Sequence, residues 1–194
     1  MKRLSLFLLL AACAPAISRP AWAQDIFSEV RLGVLAHDIR ALGGREHGAD
    51  INAELLFRSP VSATEVSFAP GYLRWLLQPR PDIGGSLNTA GATSEFYVGL
   101  TWTALLATNL FRPGDGISLD FSFGPSFNNG YANSLVSDRK SLGSNVLFRE
   151  SVEASYAITS RYSISLYFDH NSNADLAGRN ESLNDVGLRF GIRF

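Results

Sequence analysis

The sequence predicts an all-β protein, an eight-stranded antiparallel transmembrane β-barrel of the bacterial outer membrane. Three observations predict it. Apolar residues recur at every second position in segment after segment, the last running from Val186 to a terminal Phe194. The connections between these segments alternate between long polar stretches and short turns. A basic and then apolar leader opens the chain, and no later stretch is apolar for long enough to cross a bilayer as a helix.

Residues 1–23 are expected to be a signal peptide removed on export. Met1, Lys2 and Arg3 form a short basic region, an apolar run follows to Ala12, and Ala21-Trp22-Ala23 has the small-x-small form of a cleavage site before Gln24. A lipoprotein signal at Cys13 competes with this reading, but so early a cysteine leaves a very short signal. The chain's one cysteine leaves with the peptide, so residues 24–194 are expected to form one barrel domain without disulfides. Lys and Arg number 17 against 18 Asp and Glu, which leaves no basic footprint for nucleic acid.

The strands follow in order. Val30, Leu32, Val34 and Ala36 share one face of the first, and Ile51, Ala53, Leu55 and Phe57 one face of the second. A third is expected within 66–78, where the pattern is less regular, with Gly84-Gly85 reading as a turn. Phe96, Val98, Leu100 and Trp102 mark the fourth, and Ile117, Leu119, Phe121 and Phe123 the fifth. Val146, Phe148, Val152, Ala154 and Tyr156 mark the sixth, and Tyr162, Ile164, Leu166 and Phe168 the seventh. The eighth ends the chain. Strict alternation over such lengths argues for strands, because helical spacing would be three and four.

Segments near 39–49, 79–93, 126–142 and 171–182 are rich in Gly, Asn, Asp, Ser and Pro, while Thr159-Ser160-Arg161 is very short. Long outside loops and short periplasmic turns are the outer-membrane pattern. A periplasmic N-terminus then returns the C-terminus to the periplasm and places His170 near the outer surface. Eight strands enclose too little space for an open pore, so Arg31, Asp50, Glu54, Glu153, Arg189 and Arg193 are expected to pair inside. A soluble, lipocalin-like barrel would reverse the two faces; the leader and terminal Phe favour the membrane.

Parity locates a candidate site. The apolar face of the seventh strand is even-numbered, so His170 and Ser172 continue it and point toward lipid near the outer rim. A serine hydroxyl becomes a nucleophile when a neighbouring base takes its proton, and an imidazole can do so. A bare His-x-Ser is more often a hydrophilic loop; here its position and parity add to it.

His170-Asn171-Ser172-Asn173-Ala174, followed by Asn180 and the strand from Val186, resembles the lipid A 3-O-deacylase (PagL) family. The segments beginning at Glu29 and at Ala49 also resemble PagL-related acyloxyacyl hydrolases. The resemblance implies an eight-stranded outer-membrane serine esterase that removes the acyl chain at position 3 of lipid A, working on the outside of the barrel. By position, it implies Ser172 as nucleophile and His170 as general base, with Asn173, Asn180 and nearby backbone N–H groups as oxyanion donors.

The best-known family member has a glutamate fourteen residues after its histidine; here that position is Asn184. Asn184 shares parity with Leu188 and Phe190, and its amide oxygen can accept the imidazole N–H. Outer-membrane phospholipase A pairs a similar His-x-Ser with an asparagine. Glu150 is the second candidate, because a hairpin centred on Ser160 sets it opposite His170. Asp185 is the weakest, since its parity points inward, and the loop residue Glu181 has no assigned place.

His37, beside Asp38, reads as a rim or interior pair, and neither it nor His47 has zinc spacing. Trp75 and Trp102 read as interface aromatics. No metal or organic cofactor is expected. The expected partner is lipid A in the lipopolysaccharide leaflet, and pairing into a homodimer stays open. A phospholipase on the same scaffold and a structural barrel with a decayed site are the alternatives.

Overall fold

The computed structural model describes residues 26–194; the expected signal peptide lies outside them. Eight strands close on themselves in sequence order: β1 (Phe27–Ala36), β2 (Ala49–Phe57), β3 (Arg80–Asn88), β4 (Glu95–Thr108), β5 (Gly116–Asn128), β6 (Val146–Ala157), β7 (Tyr162–Ser172) and β8 (Leu183–Arg193). All neighbours are antiparallel, and β1 pairs with β8 to complete the ring.

Burial alternates as the sequence requires. On β5 every second residue from Gly116 to Asn128 is buried, while Ile117, Leu119, Phe121, Phe123 and Phe127 are exposed. A one-residue slip in register would exchange the two faces of a strand, so this contrast fixes the pairing. The apolar residues face outward around the whole wall, including Leu32, Val98, Val152, Ile164, Leu166 and Leu188. The inward face is polar, the reverse of a soluble barrel.

The interior is a network of ion pairs. Arg31 is buried among Glu29 at 3.1 Å, Glu54 at 3.6 Å, Asp120 and Glu153. Arg189 reaches Glu54 at 2.9 Å and Asn52 Oδ1 at 3.1 Å, and pairs with Glu153. Asp50 lies at the loop end of this interior. Arg193 departs from expectation: it stays partly exposed at the rim, 3.9 Å from Glu29. Arg149 is a buried cation that the sequence reading did not name. Fully buried, it lies 3.6 Å from the centroid of Tyr97 and 3.1 Å from Asp169. Its odd-numbered parity on the sixth strand was the available signal.

The third strand is not within 66–78. That stretch holds a 3-10 helix, Gly71–Leu77, introduced by Pro70. The strand forms instead at Arg80–Asn88, and Gly84-Gly85 lies in its middle rather than in a turn. Tertiary contacts override local preference here. Tyr97 fills the space beside Gly84, where an added Cβ would stand 2.7 Å from its hydroxyl and 2.6 Å from Ala53 O. A larger residue cannot share that site.

The connections separate by end. At one end lie 37–48, 89–94, 129–145 and 173–182; at the other, with the C-terminus, lie 58–79, 109–115 and 158–161. At the first end Leu142, Leu147 and Leu183 form a buried apolar cluster.

Candidate active site

His170 is flanked in register by Glu150 on β6 and Asn184 on β8, and Ser172 by Phe148. Glu150, His170, Asn184, Ser172 and Phe148 therefore share the outward face. The flanking strands differ in what they offer the imidazole. His170 Nδ1 lies 2.7 Å from Asn184 Oδ1. A carbonyl oxygen can only accept, so Nδ1 carries the proton and Nε2 keeps its lone pair. The orientation of the amide is supported by its other end, where Asn184 Nδ2 donates to Ser182 Oγ at 3.4 Å. The Glu150 side chain is exposed and has no hydrogen-bond partner among the described residues.

His170 and Ser172 are half-buried, whereas Asn184 is 4% exposed. Ser172 Oγ makes no hydrogen bond among the described residues, which leaves the hydroxyl uncommitted. The chain turns sharply after it, with left-handed φ values of 52° at Ala174 and 61° at Asp175. Non-glycine residues enter that region at a cost, and such strain concentrates at functional sites.

Asn173 and Asn180 come together, but their amides are taken. Asn173 Nδ2 donates to Leu142 O at 2.7 Å and to Arg179 O, and its own N–H donates to Asn180 Oδ1 at 2.9 Å. Asn180 Nδ2 donates to Asp175 Oδ1 at 3.0 Å. These side chains brace the turn that follows Ser172. Glu181 also has a bracing place: it pairs with Arg45 at 2.7 Å and accepts from Ser141 N–H at 2.6 Å.

Asp185 faces the interior, where it joins a cluster that the sequence reading did not assemble. His37 Nδ1 lies 2.9 Å from Asp50 and 3.4 Å from Asp185, and Nε2 lies 3.4 Å from Glu46. Burial alone would lower the His37 pKa, but hydrogen bonds to Asp185, Asp50 and Glu46 raise it to about 12. Burial would conversely raise Glu46, yet His37 and the N–H groups of Lys140 and Thr93 bring it down to about 2. Ligand atoms of His37, Asp50 and Asp185 lie within 4.8 Å of one another, close enough for a metal ion. With carboxylates on both ring nitrogens, the imidazolium itself supplies the cation. A shallow outward groove of about 340 Å³ beside Gly85 lies across the barrel from His170 and Ser172.

An eight-stranded barrel with an apolar outer face and a polar interior is an integral protein of the bacterial outer membrane. Its family follows from the sequence comparison: residues 61–193 match the lipid A 3-O-deacylase (PagL) model, and the chain belongs to that family of ester hydrolases. Among solved structures, "Crystal structure of the outer membrane enzyme PagL" superposes with a TM-score of 0.64 at 16% identity, covering 86% of this chain and all (100%) of that one. A chain from "De novo design of transmembrane beta-barrels" gives 0.48 at 10% identity, covering 91% of this chain and 98% of that one. The N-terminal barrel domain of Pseudomonas aeruginosa OprF gives 0.45 at 10%, covering 86% and 99%. No curated protein sequence matches significantly.

Proposed function

We propose that this protein hydrolyses the 3-O-linked acyl ester of lipid A at the outward-facing row of Ser172, His170 and Asn184. The loop-bearing end then faces outside, and the end with the C-terminus and shortest turn faces the periplasm. The observation that carries the reading is the 2.7 Å contact between His170 Nδ1 and Asn184 Oδ1 on the lipid side. It fixes the tautomer that a general base needs.

Ser172 Oγ attacks the acyl carbonyl while its proton passes to His170 Nε2. Strand geometry sets the two Cα atoms about 7 Å apart, within reach of suitable rotamers. The oxyanion is met by the N–H groups of Ala174 and Asp175, which donate to no described residue. Collapse returns the proton to the departing sugar oxygen and leaves an acyl-serine. Water, deprotonated by His170, then releases the fatty acid and restores the serine. Asn184 orients the imidazole, and Glu150 is the carboxylate able to act on it from the other flank.

Ser172→Ala and His170→Ala should each abolish fatty-acid release from lipid A while the barrel still shows its heat-dependent shift on a denaturing gel. Mass spectrometry of lipid A and phospholipids from expressing cells reads both substrates. Undiminished deacylation by Ser172→Ala sinks the mechanism, and loss of acyl chains from phospholipid alone replaces the substrate.

A further inference from the structure

The longest connection among the described residues, 58–79 between β2 and β3, lies at the end where the other turns are short. It is a built element. Ser62 N–H and Oγ–H both donate to Glu65 Oε2 at 2.7 Å, and Glu65 N–H donates back to Ser62 Oγ at 3.3 Å. Arg74 folds onto its own segment, giving Nε to Ala69 O and Nη2 to Ser67 O, each at 3.0 Å. Gln78 Nε2 reaches Val61 O at 3.1 Å, and Val66 and Ala69 are buried. These polar side chains are spent within the segment. Much of what it displays is apolar: Phe68 is 81% and Tyr72 76% exposed, with Leu73, Leu76 and Leu77 beside them.

This face continues the wall. The β3–β4 ladder ends with Arg80 opposite Thr101, so β4 runs on from Trp102 to Thr108 without a β3 partner. The helix of the connection takes the vacant flank, and Trp102 Nε1–H donates to Leu76 O at 3.0 Å. Where the β4–β5 register shifts, between Leu105 and Ala107, Leu105 and Leu106 are both exposed. The apolar band of β4 thus meets the helix Gly71–Leu77 at Trp102.

We propose that the apolar face of segment 58–79, formed by Phe68, Tyr72, Leu76 and Leu77, is seated in the phospholipid headgroup–acyl boundary beside β4. Continuity with the lipid-facing wall selects lipid as the occupant. So large a display of apolar surface beside the bilayer gains free energy by entering it, as interfacial amphipathic segments and aromatic girdles do. Phospholipid follows from the orientation given under Proposed function, which puts this end in the inner leaflet, away from lipid A.

The sole cysteine is Cys13 in the leader, so single cysteines can be introduced into the exported protein and spin-labelled. The variants are Phe68→Cys and Tyr72→Cys, with Leu119→Cys as the wall reference and Ala63→Cys as the exposed polar-side reference. In vesicles of phosphatidylethanolamine and phosphatidylglycerol, collisions with oxygen should exceed those with a nickel chelate at 68 and 72, as at 119, and the order should reverse at 63. Nickel collisions dominating at 68 and 72 would place the segment in water. Low collision rates for both reagents there would show cover by protein, such as a second copy. Either result overturns the proposal. None of these labels touches Ser172, so retention of activity in Ser172→Ala would end the catalytic reading and leave this measurement standing.

Discussion

Replacing Asn184 by alanine isolates the partner of His170, the proposed general base. Among the described residues, the side chain makes the one hydrogen bond, 2.7 Å long, that holds the imidazole. Its loss leaves a half-buried N–H unpaired, which costs about 1–3 kcal/mol. If the ring must be brought back to the same pose in the transition state, that cost enters the barrier, and about 1.36 kcal/mol is one power of ten in rate. The expectation is therefore a fall in kcat of about 5- to 150-fold with KM little changed. The assay is fatty-acid release from purified lipid A in detergent, with barrel formation checked on a gel. Asn184→Asp tests the sign. A carboxylate stabilises the imidazolium formed when Ser172 gives up its proton, so activity should be kept or raised. An Asn184→Ala enzyme within twofold of the parent, together with a large loss in Glu150→Gln, would refute the assignment and transfer the role to Glu150.

The remaining expectations concern stability. Asn173→Ala removes two side-chain hydrogen bonds that join the turn after Ser172 to Leu142 and Arg179, so protease cleavage within 129–145 and 173–182 should increase and activity fall with it. His37→Asn leaves Asp50, Asp185 and Glu46 without their buried cation, a loss of about 3–5 kcal/mol readable in urea unfolding in vesicles. Because folding raises the His37 pKa to about 12, its contribution is complete below about pH 6.5 and declines as pH rises toward 12. The stability gap between parent and His37→Asn should narrow from pH 7 to pH 9, whatever Glu46, Asp50, Asp185, Asp38 and Lys140 contribute in common. Gly84→Ala sets a Cβ 2.6 Å from Ala53 O and 2.7 Å from Tyr97, and the resulting overpacking should cost about 1–3 kcal/mol in the same unfolding assay.

Seven of the eight strands were legible because a lipid-facing wall leaves a period-two signature that needs no tertiary context. The exception, β3, carries Pro81 and Gly84-Gly85, whose local preferences oppose a strand. They are accepted because the strand is held between two neighbours and because Tyr97 requires the space. Parity located Glu150, His170, Ser172 and Asn184 on one face, and the hairpin centred near Ser160 set Glu150 opposite His170. Parity could not tell which flank bonds to the imidazole. It also could not show that Asn173 and Asn180 spend their amides on the turn, since that depends on carbonyls of Leu142 and Arg179, one of them from a distant loop. The His37 cluster was hidden for the same reason: its acids come from 46, 50 and 185.

That cluster gives the interior a bearing on the outer face. Asn184 and Asp185 are consecutive on β8, so one points toward His170 and the other toward His37. Asn184 O also accepts Ile39 N–H at 2.8 Å, and Asp185 accepts Asp38 N–H at 2.7 Å. Lys140, from the β5–β6 loop, pairs with Asp38 at 2.7 Å. The end of β8 is thus clamped by the first and third loops of this end, through bonds that do not involve the imidazole. A hydrogen-bonding amide can orient a base only as well as its own backbone is held. The neutral partner at Asn184 offers no charge to pull His170 into place, so fixed geometry has to do that work. A weakened His37 cluster should then lower kcat through the same Asn184 contact, even though none of its members faces the substrate.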